Sequence, residues 1–375
     1  MDSLNLIKND PWLEPYKTDI EHRFQLSVSK EKELAGKGKS LSDFADGYLY
    51  FGLHKTEQGW VMREWAPNAT DIFLIGNFSE WKENTKYRFS KLKNGVWELK
   101  LKTGEIKHLD LYKLSMHWNG GHGERIPAWA TRVVQDEKTY IFSAQVWSPS
   151  RPYKFKKKKF KPQISPLLIY ECHIGMAQEE ERIGSYNEFR EKILPRIAKD
   201  GYNAIQIMAI QEHPYYGSFG YHVSSFFAPS SRFGTPDELK QLIDEAHASG
   251  IAVIMDIVHS HAVKNEVEGL GRFDGSYNQF FYGDHRREHP AWDSLCFDYG
   301  KNEVIHFLLS NCKYWLEEFK FDGFRFDGVT SMLYYDHGLG KAFGSYNDYY
   351  DGGQDENAIT YLTLANKLTS RLSIS

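Results

Sequence analysis

The stretch Asp322-Gly323-Phe324-Arg325-Phe326-Asp327-Gly328-Val329 alternates apolar and charged side chains. In a strand, successive side chains point to opposite faces. Phe324 and Phe326 then turn one way, to pack under a helix layer, and Arg325 and Asp327 turn the other. A guanidinium beside a carboxylate favours the ionised form. An ionised, positioned carboxylate is what a carboxylate nucleophile must be. The octet alone admits two readings, a structural ion pair at a strand end and an activated nucleophile. Asp256, His261 and the pair Tyr221-His222 form a second set of chemistry-bearing residues. Singly, each has an ordinary explanation: Asp256 as a cap, His261 as a loop histidine, Tyr221 as a packed aromatic.

The elements around these residues decide whether they can meet. After Pro166, residues 167–171 read as a buried-type strand. A helical pattern follows with Phe189, Ile193, Leu194 and Ile197, closed by Gly201. Residues 203–210 read as a second strand. Thr235-Pro236-Asp237-Glu238 is a capping box with Pro at the first helical position. Leu239, Leu242, Ile243 and Ala246 give that helix its apolar face, and Gly250 ends it. A third strand, 251–255, ends at Asp256 and leads into a long loop, 258–300. Residues 302–320 form a strong helical pattern, with Val304, Leu308, Cys312, Trp315, Leu316 and Phe319 on one face. The octet is the fourth strand. A fourth helix, 355–372, turns Ile359, Leu362, Ala365 and Leu368 inward.

Strand and helix thus alternate four times, which predicts a parallel sheet with helices outside. A closed (β/α)8 barrel has eight such units in typically ~250 residues. Four units over roughly 210 residues predict the first half of a barrel. Barrel active sites sit at the C-terminal strand ends. Asp256, His261, Arg325, Asp327 and Tyr221 all lie at or just after such ends, so they are expected at one mouth.

The preceding chain has a different texture. Residues 1–45 read as a peripheral helical segment, broken at Gly36 and Gly38. Residues 46–150 read as a β-sandwich, with short strands at 48–53, 59–65, 71–76 and 95–101 between turn residues. Trp81 follows in a loop, where it serves either as a sugar platform or in packing. Residues 151–165, with Lys156-Lys157-Lys158-Lys159, read as a solvated linker. The barrel half is then 166–375.

Composition excludes several function classes. A formal net charge of -4 gives no general attraction to nucleic acid. No apolar run is long enough to span a bilayer, and Met1-Asp2-Ser3-Leu4 does not open a signal peptide. Cys172, Cys296 and Cys312 form neither a disulfide framework nor a zinc pattern. The expectation is a cytoplasmic protein without nucleic-acid or membrane partners. The 10 Trp, 23 Tyr and 24 Phe suit bulky cores and equally suit sugars, whose C–H faces lie well on flat rings.

Residues 46–375 resemble the alpha-amylase superfamily of glycoside hydrolases, and within it the eukaryotic-type glycogen (1,4-alpha-glucan) branching enzymes. Asp256-Ile257-Val258-His259-Ser260-His261-Ala262 resembles the family's first signature. Residues 323–334, Gly-Phe-Arg-Phe-Asp-Gly-Val-Thr-Ser-Met-Leu-Tyr, resemble its second signature with the branching-type flank. Trp292-Asp293-Ser294-Leu295-Cys296-Phe297 and Tyr361-Leu362-Thr363-Leu364-Ala365-Asn366 also resemble that subgroup. Residues 60–81 resemble its carbohydrate-binding sandwich. The resemblance implies Asp327 as nucleophile and Arg325 as its partner. It implies Asp256, His261 and Tyr221 as the subsite for the attacked glucose. It implies a retaining double displacement on an alpha-glucan (glycogen, amylose or starch), with a 6-hydroxyl as acceptor and no metal or cofactor. The family's general acid is a Glu ending the fifth strand, and no residue here stands at that place. Glu356 opens the fourth helix instead. The 375 residues are therefore expected to be a fragment, inactive in branching. The alternatives are another hydrolase of the superfamily and a non-catalytic glucan-binding protein.

Overall fold

The structure, a computed structural model, describes residues 3–157, 160–162 and 166–373. Lys158 and Lys159 of the basic run lie outside the described residues.

The first strands form two antiparallel sheets. One runs in the order Gly52–Thr56, Gly59–Trp65, Val96–Lys102, Ser90–Lys91. The other runs Ala69–Gly76, Leu111–Trp118, Phe142–Gln145, Val133–Gln135, with Gly121–Arg125 also paired to Leu111–Trp118. Alternating residues of both sheets, among them Met62, Leu99, Ile72, Leu74, Leu114 and Met116, are buried in a common core. The strand expected at 48–53 is corrected. Gly47–Tyr50 is a helical turn, and the strand starts at Gly52. Tertiary packing overrides the local pattern here. Tyr48 packs edge-on against Tyr314, Phe51 stacks on Trp129, and the Gly47 N–H donates to the Ser310 hydroxyl. A Cβ at Gly47 would lie 2.4 Å from the His306 ring, so only glycine fits.

The second half of the chain builds a parallel sheet ordered Ile169–Cys172, Ala204–Ile207, Ala252–Ile257, Gly323–Phe326. Among the described residues it has four strands. Each is followed by helix: Tyr186–Lys199 as one run containing a π turn, Pro236–Ala248, Asn302–Glu318 and Glu356–Ser373. The capping box at Thr235 forms, with Thr235 and Glu238 each accepting from the other's backbone N–H. Ile205, Ile207, Val253, Met255 and Ile257 are buried under the helices. The other face carries Glu171, Gln206, Ile254, Arg325 and Asp327, by the period of two. No described helix is long and apolar enough to cross a membrane.

The long loop, 258–300, is more ordered than its composition indicates. His261–Val263, Ser294–Cys296 and Glu288–His289 pair as a small antiparallel sheet. His261 is thus a strand residue. Its position five residues past Asp256 reflects a turn of the chain back over the sheet.

Several contacts hold the halves together. Among them, Trp129 stacks on Phe227 at 4.7 Å, Asn68 N–H donates to Asp274 at 2.9 Å, and Arg125 donates to the Phe273 carbonyl at 3.1 Å. The N-terminal helix Lys17–Ala35 lies on the last helix, with Arg23 bonded to Glu356 at 3.0 Å.

Candidate active site

The strand Gly323–Phe326 is fixed at both ends. At its start, the Asp322 carboxylate accepts from the Val253 N–H at 2.7 Å and from the His247 ring at 2.9 Å. At its end, the Asp327 N–H donates to the Ile257 carbonyl at 3.0 Å, which continues the ladder one residue further. Gly328 then turns the chain with φ 67°, a left-handed conformation that L side chains rarely adopt. A Cβ there would also lie 2.6 Å from the Ser260 hydroxyl. The backbone carrying Asp327 is therefore determined on both sides.

Asp256 faces Arg325 across the ladder, as strand partners in register. The Arg325 Nη1 donates to both Asp256 oxygens at 3.0 Å and to Asp327 Oδ1 at 2.6 Å. One guanidinium thus bridges two carboxylates from neighbouring strands. Such charge-assisted bonds are the stronger class. The Tyr221 hydroxyl donates to Asp256 Oδ2 at 2.9 Å. Burial pushes the Asp256 carboxyl up from its ordinary value, although Arg325 and Tyr221 pull it down. Burial opposes the Arg325 charge, yet Asp256 and then Asp327 hold it above its ordinary value. Burial, followed by the Asp256 charge, raises the Tyr221 phenol.

His261 completes the set. Its Nε2 donates to the Tyr221 carbonyl at 2.8 Å, and its Nδ1 accepts from the Ser260 hydroxyl at 2.8 Å. Burial lowers its pKa to about 4, so the ring is neutral near pH 7. Both ring nitrogens are occupied by protein partners. His261 therefore shapes the site through its ring and through the Tyr221 backbone it holds, with no nitrogen left to bond a ligand.

Three of these residues, Tyr221, His261 and Asp327, line an open cavity of about 490 Å³ together with His222, Ala291, Trp292 and Asp293. Its size and aromatic lining suit a small polar molecule with apolar faces. Five of the six residues singled out from the sequence, Asp327, Arg325, Asp256, His261 and Tyr221, are brought together by contacts at this mouth. Trp81 is not among the lining residues. It follows the sandwich strand Ala69–Gly76, 39% exposed, with Lys113 Nζ 6.0 Å from its ring. Trp292 and Asp293 line the cavity, although the sequence offered them only as part of a resembling motif. Their arrival depends on the fold of the 258–300 loop, which periodicity does not report.

Comparison with known proteins extends the geometry. Residues 50–130 match the model of carbohydrate-binding module 48 (isoamylase N-terminal domain), and residues 179–296 that of the alpha amylase catalytic domain. The chain is 46% identical to a 1,4-alpha-glucan-branching enzyme of Yarrowia lipolytica, over 99% of this chain and 55% of that protein. It is 45% identical to the enzyme of that name from Dictyostelium discoideum, over 100% of this chain and 56% of the relative. The horse (Equus caballus) enzyme of that name is also 45% identical, over 98% and 53%. The chain spans about half the length of the curated relatives it matches. Among solved structures, the catalytic module of a glycogen-degrading pneumococcal virulence factor aligns with TM-score 0.63 at 18% identity, covering 78% of this chain and 48% of that one. A group B Streptococcus pullulanase, solved with maltotetraose, aligns with TM-score 0.62 at 21% identity, covering 75% and 42%. These two show the fold: a sandwich module followed by part of an amylase-type barrel. The sequence relationships show more: at 45–46% identity over nearly all of its length, the chain is a homologue of about half the length of the 1,4-alpha-glucan-branching enzymes, with an alpha amylase catalytic-domain segment at 179–296.

Proposed function

We propose that this chain carries the sandwich and the nucleophile half of a 1,4-alpha-glucan branching enzyme, acting on an alpha-glucan such as glycogen, amylose or starch. The observation that carries the reading is the Arg325 guanidinium bridging Asp256 and Asp327 beneath the cavity. In this reading Asp327 is the nucleophile. Its carboxylate oxygen bonds to the anomeric carbon while the C1–O4 bond breaks, and the departing oxygen takes a proton from a general acid. The 6-hydroxyl of a second glucan segment then attacks C1, releases Asp327 and loses its own proton to the same group acting as base. Arg325 holds Asp327 in place through its 2.6 Å bond. Asp256 anchors Arg325 from the buried side, and Tyr221 offers its ring to the attacked glucose. Trp81 is proposed as a glucan contact of the sandwich, separate from the cavity. A cytoplasmic location fits three free buried thiols, Cys172, Cys296 and Cys312.

Among the described residues no carboxylate ends a fifth parallel strand, and no general acid is assigned here. The nucleophile can be tested without one. α-Glucosyl fluoride is an activated donor whose fluoride leaves with the C–F bonding pair and needs little protonation. The chain is expected to release fluoride in a burst and to gain one glucosyl group by mass spectrometry. Asp327→Asn should abolish both. Equal fluoride release by Asp327→Asn would remove Asp327 from the nucleophile role.

A further inference from the structure

One part of the cavity lining has no role in the scheme above. It is built by Trp292 and Asp293, in a turn between the strands Glu288–His289 and Ser294–Cys296. Trp292 is 37% exposed, in an exposed turn, 290–293, between the buried His289 and Ser294. Its ring lies 4.1 Å from His289, nearly parallel at 6°. The same histidine holds the turn, since its Nδ1 accepts N–H groups from Ala291 at 3.2 Å and Trp292 at 3.1 Å. His337 backs His289 at 4.4 Å. On the cavity side, Trp292 meets the His261 ring at 5.2 Å and closely approaches Gly328, the residue after Asp327. Asp293 takes a left-handed φ of 45° and its side chain is 86% exposed.

Each feature points to a surface held for contact. A tryptophan needed only for packing would be buried. This one has one face supported by a fixed ring and its free surface at the cavity. A Cβ added at Gly328, the residue after Asp327, would lie 3.3 Å from the Trp292 ring, so the ring sits beside that turn. The adjoining Asp293 carboxylate lies at the cavity edge, with Oδ1 3.7 Å from Lys264 Nζ, and its exposed oxygens can accept hydrogen bonds from hydroxyls. Flat aromatic surface beside an acceptor oxygen matches a pyranose, which has apolar C–H faces and equatorial hydroxyls.

We propose that Trp292, with Asp293 beside it, is the platform for the glucose ring that flanks the one attacked by Asp327, and that His289 is the positioning residue that sets it. This rests on the branching-enzyme reading of the site. Trp292 would then govern the use of long glucans over single sugars, because only a chain of linked glucoses reaches both Tyr221 and Trp292.

The experiment compares donors that share one leaving group. α-Glucosyl fluoride carries a single ring, whereas α-maltotriosyl fluoride adds two on the donor side. Maltotriose as added acceptor fills the other side. In the unmodified chain, kcat/KM is expected to be higher for the longer donor, or turnover of the short donor to rise with maltotriose. The arm that responds identifies the side on which the platform lies. Trp292→Ala should reduce that advantage about tenfold, equivalent to about 1.4 kcal/mol. Trp292→Phe should keep most of the advantage, and His289→Ala should lose part of it. The ratio of the two donors is read within each preparation, so the fraction of misfolded protein cancels and misfolding is separated from lost recognition. Equal loss on all donors by Trp292→Ala, or an unchanged advantage, would overturn the proposal. Absence of fluoride release from every donor in the unmodified chain would instead defeat the reading of Asp327, and the platform with it.

Discussion

Replacing Arg325 by methionine removes its charge and keeps most of its volume. The consequence falls on Asp256, whose side chain is 0% exposed. Arg325 contacts both of its oxygens at 3.0 Å, and the Tyr221 hydroxyl contacts one at 2.9 Å. In Arg325→Met that hydroxyl is the one side-chain donor left among those described. Removing one partner of a buried ion pair costs about 3–5 kcal/mol, because the other charge stays buried and unpaired. Arg325 itself is 46% exposed, so water screens the pair and can replace some of what is lost. The expected destabilisation near pH 7 is about 2–3 kcal/mol. Its pH dependence has a definite sign. Burial already raises the Asp256 pKa, and loss of Arg325 raises it further. An acid with a raised folded-state pKa stabilises the fold below its unfolded value and loses that stability as pH rises through the folded value. The deficit of Arg325→Met relative to the parent is therefore largest near pH 7 and shrinks towards about pH 4, close to the unfolded Asp value. Adding Asp256→Asn to Arg325→Met should recover most of the deficit, since no buried charge remains. Urea denaturation at two pH values, on the parent, both single variants and the double, measures all of this. Equal stability of Arg325→Met near pH 7, or a deficit that does not change with pH, would refute the argument.

Three further outcomes are expected. His259 and His261 are held neutral, each with a pKa lowered by burial from 6.5 to about 4. The unfolded chain binds more protons across that window, so stability should be flat above 6.5 and fall as pH drops towards about 4. A melting temperature that holds steady through the window would contradict the burial of both rings. Gly47→Ala forces a Cβ to within 2.4 Å of His306 and 2.8 Å of Trp129, and should destabilise by about 1–3 kcal/mol in chemical denaturation. Measured stability equal to the parent would show that the Gly47 turn can shift freely. Finally, the 375-residue polypeptide on its own is expected to bind amylose without branching it in an iodine-stain assay. The full-length Yarrowia lipolytica 1,4-alpha-glucan-branching enzyme, run alongside as the positive control, should branch. Comparable branching by both would mean that a carboxylate in these residues serves as the acid.

Much of the sheet was readable because its signals are local. Alternation in Phe324-Arg325-Phe326-Asp327 assigns faces without any tertiary knowledge, since a strand has a period of two. Thr235-Pro236-Asp237-Glu238 names a helix start for the same reason, because its bonds close within four residues. The turn at Gly47–Tyr50 was misread as strand because Tyr48, Leu49, Tyr50 and Phe51 have strand composition. Their conformation is chosen instead by Trp129, Tyr314 and Ser310, which are distant in sequence.

The candidate site divides the same way. Residue types and strand-end positions were enough to select Asp256, Arg325 and Asp327, because a parallel sheet brings its C-terminal ends to one side whatever the loops do. Sequence could not say that Arg325 would bridge both carboxylates, which requires the register pairing Asp256 with Arg325. Nor could it say that both nitrogens of His261 would be taken by Ser260 and Tyr221. Trp292 and Asp293 reach the cavity only because a long loop folds into its own small sheet and returns over the mouth. That return path is set by long-range contacts rather than by any periodicity of the residues themselves. The sequence by itself determined which residues can do the chemistry, and the tertiary structure alone decided which of them face the same space.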